Sequence, residues 1–293
     1  MAPEGVGPAE QVDAAAGGPS VQSFLEGLRY EVMPFKGVDE KVLAHVPKDI
    51  TVTVTASPGK GIWRTVDFAV RLAGEGYAVV PHLSSRMIKD KAELSEIIAK
   101  TTEAGIEEIF VVGGDAPEPA GTFTDAPGLV RALKELDHPF AEVGITGYPE
   151  GHADIGDERL DEALREKAEV GTYVATQICF DAGTILDWAR GLQRKGITQP
   201  VWVGMPGEVN REKLVRISAG IGLGASARFL KKQQSMFWRF LLPGGYSPNK
   251  VVRGLAPHLG EGDQNIAGFH IFTFNEIEGT EKWRRRMLEK YSG

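Results

Sequence analysis

Eight short apolar runs recur along the chain, near residues 29–33, 50–55, 77–82, 106–112, 140–146, 173–180, 200–205 and 268–274. They are rich in Val, Ile, Phe and Thr, and most are apolar throughout, the pattern of strands buried on both faces. Helical spacing fills the intervals. Ile62, Val66, Ala69, Val70 and Ala73 follow the second run. Leu94, Ile97 and Ile98 follow the third, behind a capping box of Asp90 and Glu93 and ahead of Gly105. Pro127 stands at a helix start before Leu129, Val130 and Leu133. Leu160, Leu164 and Ala168 repeat before Gly171, and Ile185, Trp188, Ala189 and Leu192 close the series. This alternation predicts βαβ units, and eight parallel strands are the number that closes a (β/α)8 TIM barrel. The long gap between the seventh and eighth runs predicts extra helices, one from about Arg211 and an aromatic one over 226–242, that cover the barrel mouth.

The runs end in residues able to do chemistry. Glu31 lies in the first, Thr55 closes the second, His82 closes the third and Asp115 follows the fourth. Tyr148 ends the fifth, Gln177 lies in the sixth and Asn275 ends the eighth; the seventh, VWVGMP, reaches Glu208 soon after. A parallel barrel places all these ends on one face. An open doubly wound sheet would instead gather ligand residues at one switch point. A carboxylate beside an apolar strand is costly unless paired or used, so Glu31 and Asp115 are rim ion pairs or working acids. His82 is a core histidine or a site residue, and Gln177 braces the barrel or reads a polar ligand.

Composition narrows the classes. The 293 residues are 42% hydrophobic and 25% charged with a net charge of −7, and no basic stripe points to nucleic acid. Cys179 is the one cysteine, with apolar neighbours, which predicts a buried thiol in a reducing compartment. Residues 1–20 lack Lys, Arg and an apolar run, so they read as a disordered tail rather than a leader, ahead of one catalytic domain over 21–293. No stretch reaches membrane-spanning length, and a soluble, cytoplasmic protein is expected. ASPGKG (56–61) fails the Walker spacing at Val54 and Gly61, and GIGLGA (220–225) lacks strand–turn–helix context. The six histidines are dispersed, without HExxH or a Cys/His cluster, so no metal centre is expected. No GxSxG elbow is present.

In order, YEVMP (30–34), TVTVTAS (51–57), VVPHLS (79–84), GGDAP (113–117), GYPEGH (147–152), REKAEVG (165–171), ATQICFD (175–181) and FHIFTFN (269–275) resemble the methylenetetrahydrofolate reductase family. The resemblance implies a (β/α)8 barrel that reduces 5,10-methylenetetrahydrofolate with NADH or NADPH, usually through a bound flavin. It makes Glu31 the general acid and Asp115 the carboxylate facing the pterin. Gln177, Phe274 and Asn275 then join Asp115 in holding folate. Thr55, His82, Tyr148 and Lys167 line the flavin or nicotinamide site.

Several positions depart from the family pattern. Gly113 stands where an arginine usually anchors the flavin's polar tail. Leu160 and Ala163 replace residues that touch the ribityl chain, Thr172 replaces an alanine, and Glu276 replaces a basic residue. A flavin phosphate needs cationic or backbone partners. Weak or absent binding of FMN or FAD, with direct hydride transfer from the nicotinamide, is therefore expected. A flavin-dependent reductase and a non-catalytic folate-binding barrel are the alternatives. NADH is not told from NADPH, and the oligomeric state stays open.

Overall fold

The computed structural model describes residues 20–152, 154–208 and 247–292. Eight strands form one closed parallel barrel in sequence order. They are β1 (Arg29–Val32), β2 (Thr51–Val54), β3 (Val79–Ser84), β4 (Glu108–Val112), β5 (Glu142–Gly147), β6 (Tyr173–Thr176), β7 (Val201–Pro206) and β8 (Ile266–Phe272). The described helices are α1 (Val21–Glu26), α2 (Val38–His45), α3 (Ile62–Gly74), α4 (Lys91–Glu103), α5 (Ala126–Glu135), α6 (Asp157–Ala168), α7 (Ala182–Arg194), α8 (Pro248–Leu255) and α9 (Ile277–Tyr291). The predicted tail, the helix from Arg211, the aromatic 226–242 segment and GIGLGA lie outside the described residues. Of the long β7–β8 connection, α8 is described, and it packs against α7.

Local chemistry starts the helices where the sequence placed them. Asp125 caps α5 through a 2.9 Å bond from the Gly128 N–H, and Asp181 caps α7 at 2.8 Å from Thr184. Asp90 caps α4 in the same way, but the reach-back of Glu93 goes to the N–H of Lys89, one residue before the one a capping box requires.

Each strand divides its side chains between two environments. On β1, Tyr30 and Val32 point outward into the layer beneath the helices, where the Tyr30 hydroxyl donates to Glu281 of α9 at 2.9 Å. Arg29 and Glu31 point inward. Closure is set by the β1–β8 register, which pairs Arg29 with His270 and Glu31 with Phe272. Among the described residues, no helix is long and apolar enough to cross a membrane.

Candidate active site

The barrel interior is floored at the strand N-termini by a charged plug. Arg29 pairs with Glu108 of β4, and its guanidinium lies 4.5 Å over the Tyr173 ring and 4.0 Å over Trp202. Val80, Phe110, Tyr173 and Ala175 fill the space around it. In a parallel barrel of this kind the chemistry is built at the strands' carboxyl ends, opposite this layer.

Above the plug lies the acid. Glu31 Oε2 is 3.1 Å from His270 Nε2 on β8 and 4.0 Å from His82 Nδ1 on β3. Glu31 keeps 15% exposure, while His82 keeps 4% and His270 3%. Burial pushes the Glu31 carboxyl up, with His82 partly opposing. Burial likewise pushes His82 down to about 4 and His270 to about 3, so both rings are neutral at ordinary pH. Neutral His270 thus stands within hydrogen-bond distance of a carboxyl group whose proton affinity burial has raised. His82 does not close its strand: β3 runs on to Ser84, because Leu83 and Ser84 still pair with β4. His82 therefore sits inside the barrel beside Glu31, two residues short of the end of β3. Thr53 Oγ1, His82 Nε2 and Ser84 Oγ are buried without hydrogen-bond partners among the described residues. Three such atoms on the adjacent strands β2 and β3 mark a lining built for something polar.

A second group occupies the end of β5. Lys167, in the last turn of α6, is buried and donates at 2.7 Å to both the carbonyl and the hydroxyl oxygen of Thr146. Desolvation pulls its amine down to about 7. Tyr148 lies 6.0 Å beneath that amine and packs edge-on against His152. Burial raises the Tyr148 phenol, Thr146 lowers it, and the negative charge of Asp115 raises it further, which places the β4 loop beside β5.

Asp115 itself is exposed on that loop. The loop is fastened by Arg86, whose guanidinium donates to the carbonyls of Ala116, Pro117 and Thr124. It also needs Gly114, which has φ 91° and whose absent Cβ would fall 1.9 Å from Ser84 Oγ. Gly113 has open space where a Cβ would stand.

The remaining predicted residues sit at strand ends with partial duties. The Gln177 backbone N–H donates to the Gly147 carbonyl, and its side-chain oxygen accepts from the Ile178 N–H. Thr55 bonds the Val32 carbonyl, and its own carbonyl accepts from Thr65 of α3. Asn275 is a brace: its amide accepts from the Met33 N–H at 2.9 Å and donates to the Met33 carbonyl at 3.2 Å, tying the end of β8 to the loop after β1. Phe274 and Asn275 are both left-handed, with φ 49° and 61°. Cys179 is buried and its thiol is pushed up to about 12 by desolvation, as expected of a structural cysteine.

Folding thus joins Glu31, His82 and His270 into one cluster and Asp115, Tyr148 and Lys167 into another, both at carboxyl ends of strands. His270, Thr146 and Arg86 were not singled out from the sequence. A signal existed for His270, since His270 and Phe272 alternate along β8 and their rings lie 5.1 Å apart.

A family model described as methylenetetrahydrofolate reductase matches residues 35–220, more than half of the chain. Methylenetetrahydrofolate reductase 2 of Saccharomyces cerevisiae is 25% identical over 182 residues, covering 57% of this chain and 30% of the yeast protein. A probable methylenetetrahydrofolate reductase (NADPH) of Caenorhabditis elegans is 28% identical over 136 residues, covering 44% and 20%. The chain thus spans less than a third of either relative's length. Among solved structures, an uncharacterized Clostridium thermocellum protein that binds two copies of 5-methyl-5,6,7,8-tetrahydrofolic acid aligns with a TM-score of 0.62. Identity is 12%, with 92% of this chain and 98% of that one covered, a likeness of fold.

Proposed function

The chain belongs to the methylenetetrahydrofolate reductase family, and from that premise we propose that it reduces 5,10-methylenetetrahydrofolate to 5-methyltetrahydrofolate by hydride transfer straight from NADH or NADPH. The observation that carries this reading is Glu31, a carboxyl group on the inward face of β1 whose pKa burial raises and which lies 3.1 Å from neutral His270.

The substrate's five-membered ring must open to an iminium cation before it can accept hydride. Opening requires a proton on the departing nitrogen, and Glu31 supplies it. Asp115, which carries its charge into the β4–β5 rim, stabilises the cation that develops. The Gln177 amide bonds the amide edge of the pterin. Tyr148 and Lys167 form the wall against which the nicotinamide is laid, so that its hydride faces the iminium carbon.

A flavin fits these residues poorly. Its phosphate calls for a cation, yet Gly113 carries no side chain, and Arg86 is committed to three carbonyls of the same loop. No step here passes through a flavin.

The test is spectroscopic and kinetic. Purified protein should be colourless and should oxidise NADH or NADPH only when methylenetetrahydrofolate is added, with no gain from FMN or FAD. A yellow protein, or one active only with added flavin, would restore the flavin-dependent chemistry. Folate binding without nicotinamide oxidation under any condition would make the chain a binding barrel.

A further inference from the structure

We propose that Glu31, His82 and His270 also form a site for one divalent transition-metal ion of the zinc class, and that an ion bound there takes the place of the Glu31 proton and halts the reduction.

One ligand atom from each of the three side chains lies within 4.8 Å of the other two. Tetrahedral zinc with bonds of 2.0–2.2 Å holds its ligand atoms about 3.4 Å apart. The observed separations of 3.1 Å from Glu31 to His270 and 4.0 Å from Glu31 to His82 bracket that value. Side-chain rotation, with the His82 ring turned to present one nitrogen to the shared centre, brings the three ligand atoms to that spacing.

The cluster has the character of a ligand set. Two neutral imidazoles and one carboxylate are a known donor combination for zinc and for ferrous iron, and they leave coordination positions open. The histidines come from β3 and β8 and the carboxylate from β1, all rigid barrel strands. His82 supplies the independent sign: it is almost fully buried, its Nε2 has no partner among the described residues, and its Nδ1 is beyond hydrogen-bond length from Glu31. A ring nitrogen buried without a hydrogen bond calls for a missing partner. Phe110 and Phe272 stand against the two imidazoles, at 4.8 Å from His82 and 5.1 Å from His270, and limit water on those sides.

The exchange balances simply. The Glu31 O–H bond breaks, its electron pair stays on oxygen and becomes a metal bond, and the proton leaves to solvent. Binding stands on geometry alone, whereas the halt in turnover rests on Glu31 being the acid of the proposed reduction.

The experiment uses the full chain, stripped with a chelator and titrated at fixed neutral pH with Co2+ and, separately, Zn2+. One equivalent of Co2+ should give the intense visible absorption of a four- or five-coordinate nitrogen–oxygen site, and Zn2+ should bleach it by displacement. His82→Ala and His270→Ala should each weaken binding by at least about tenfold, since even the loss of an outer-shell partner costs that much. His258→Ala, at the exposed His258–Glu261 pair, should leave binding unchanged. His82→Gln, checked by circular dichroism, covers the case in which an alanine variant fails to fold. No stoichiometric binding, only the weak spectrum of a six-coordinate surface ion, or binding that survives in a folded His82 variant would each overturn the site. A protein that reduces folate but ignores cobalt removes the metal site alone. One that binds cobalt but shows no reductase activity removes the reductase reading, and the inhibition with it.

Discussion

The Nζ atom of Lys167 lies 2.7 Å from both the carbonyl oxygen and the hydroxyl of Thr146, so one buried amine pins the end of α6 to the end of β5. Its folded pKa is lowered from 10.5 to about 7. Between those values the unfolded chain holds a proton that the folded one lacks, so stability rises with pH across that window. Below it, the charged amine burdens the fold fully. The difference in unfolding free energy between the natural chain and Lys167→Met should move by up to ~1.4 kcal/mol per pH unit from about pH 7 towards 10, measured by urea unfolding. A flat difference would mean the amine is solvated.

Glu31→Gln keeps the shape and the His270 contact but has no acidic proton. Turnover should fall by roughly 10²–10⁴-fold, the usual contribution of a positioned acid, while folate affinity stays nearly unchanged. Steady-state kinetics beside a direct folate titration separate the two, and near-normal turnover would remove Glu31 as the proton donor.

Neighbouring glycines should respond oppositely to one methyl group. Gly113→Ala places a Cβ in open space, and its effect on stability should be within about 0.5 kcal/mol. Gly114→Ala meets Ser84 Oγ and must hold φ 91°, so it should cost at least about 2 kcal/mol and displace Asp115. Thermal melts of the two variants, side by side, check the contrast.

Gly113→Arg tests the proposal that a missing cation at this position disfavours flavin. The space at this position accepts a side chain, and a charge-assisted bond to phosphate contributes roughly 1.5–3 kcal/mol. FMN affinity should rise by about tenfold or more by fluorescence quenching. Unchanged affinity would place the obstacle to flavin elsewhere.

Asn275→Ala removes both bonds to Met33 and puts a Cβ residue without a local polar group at φ 61°. Unfolding free energy should drop by about 2–4 kcal/mol. Asn275→Gly should lose less, because it relieves the backbone while sacrificing the same bonds. Equal losses would assign the whole effect to the hydrogen bonds.

Much of the barrel was readable because it rests on local signals. Eight apolar runs, Asp90 and Pro127 at helix starts, and Gly105 as a stop all act within a few residues of themselves. Glu31 and Asp115 could be singled out as candidates because they lie in recognisable motifs. What escaped was set by closure. His82 looked terminal because Leu83 and Ser84 resemble a loop, yet pairing with β4 extends the strand past it. Its meeting with His270 joins residues 188 positions apart, and dispersed histidines along a chain say nothing of their separation across a barrel. Arg86 escaped for a similar reason, since its partners are backbone carbonyls and carry no sequence signature.

β8 contributes His270 to Glu31, and the turn after it contributes Asn275 to the loop behind β1. A growing chain therefore carries its acid from the beginning but gains the acid's partner only when the final strand leaves the ribosome and docks. A prematurely terminated product therefore keeps Glu31 and His82 but lacks the 3.1 Å contact that the last strand supplies.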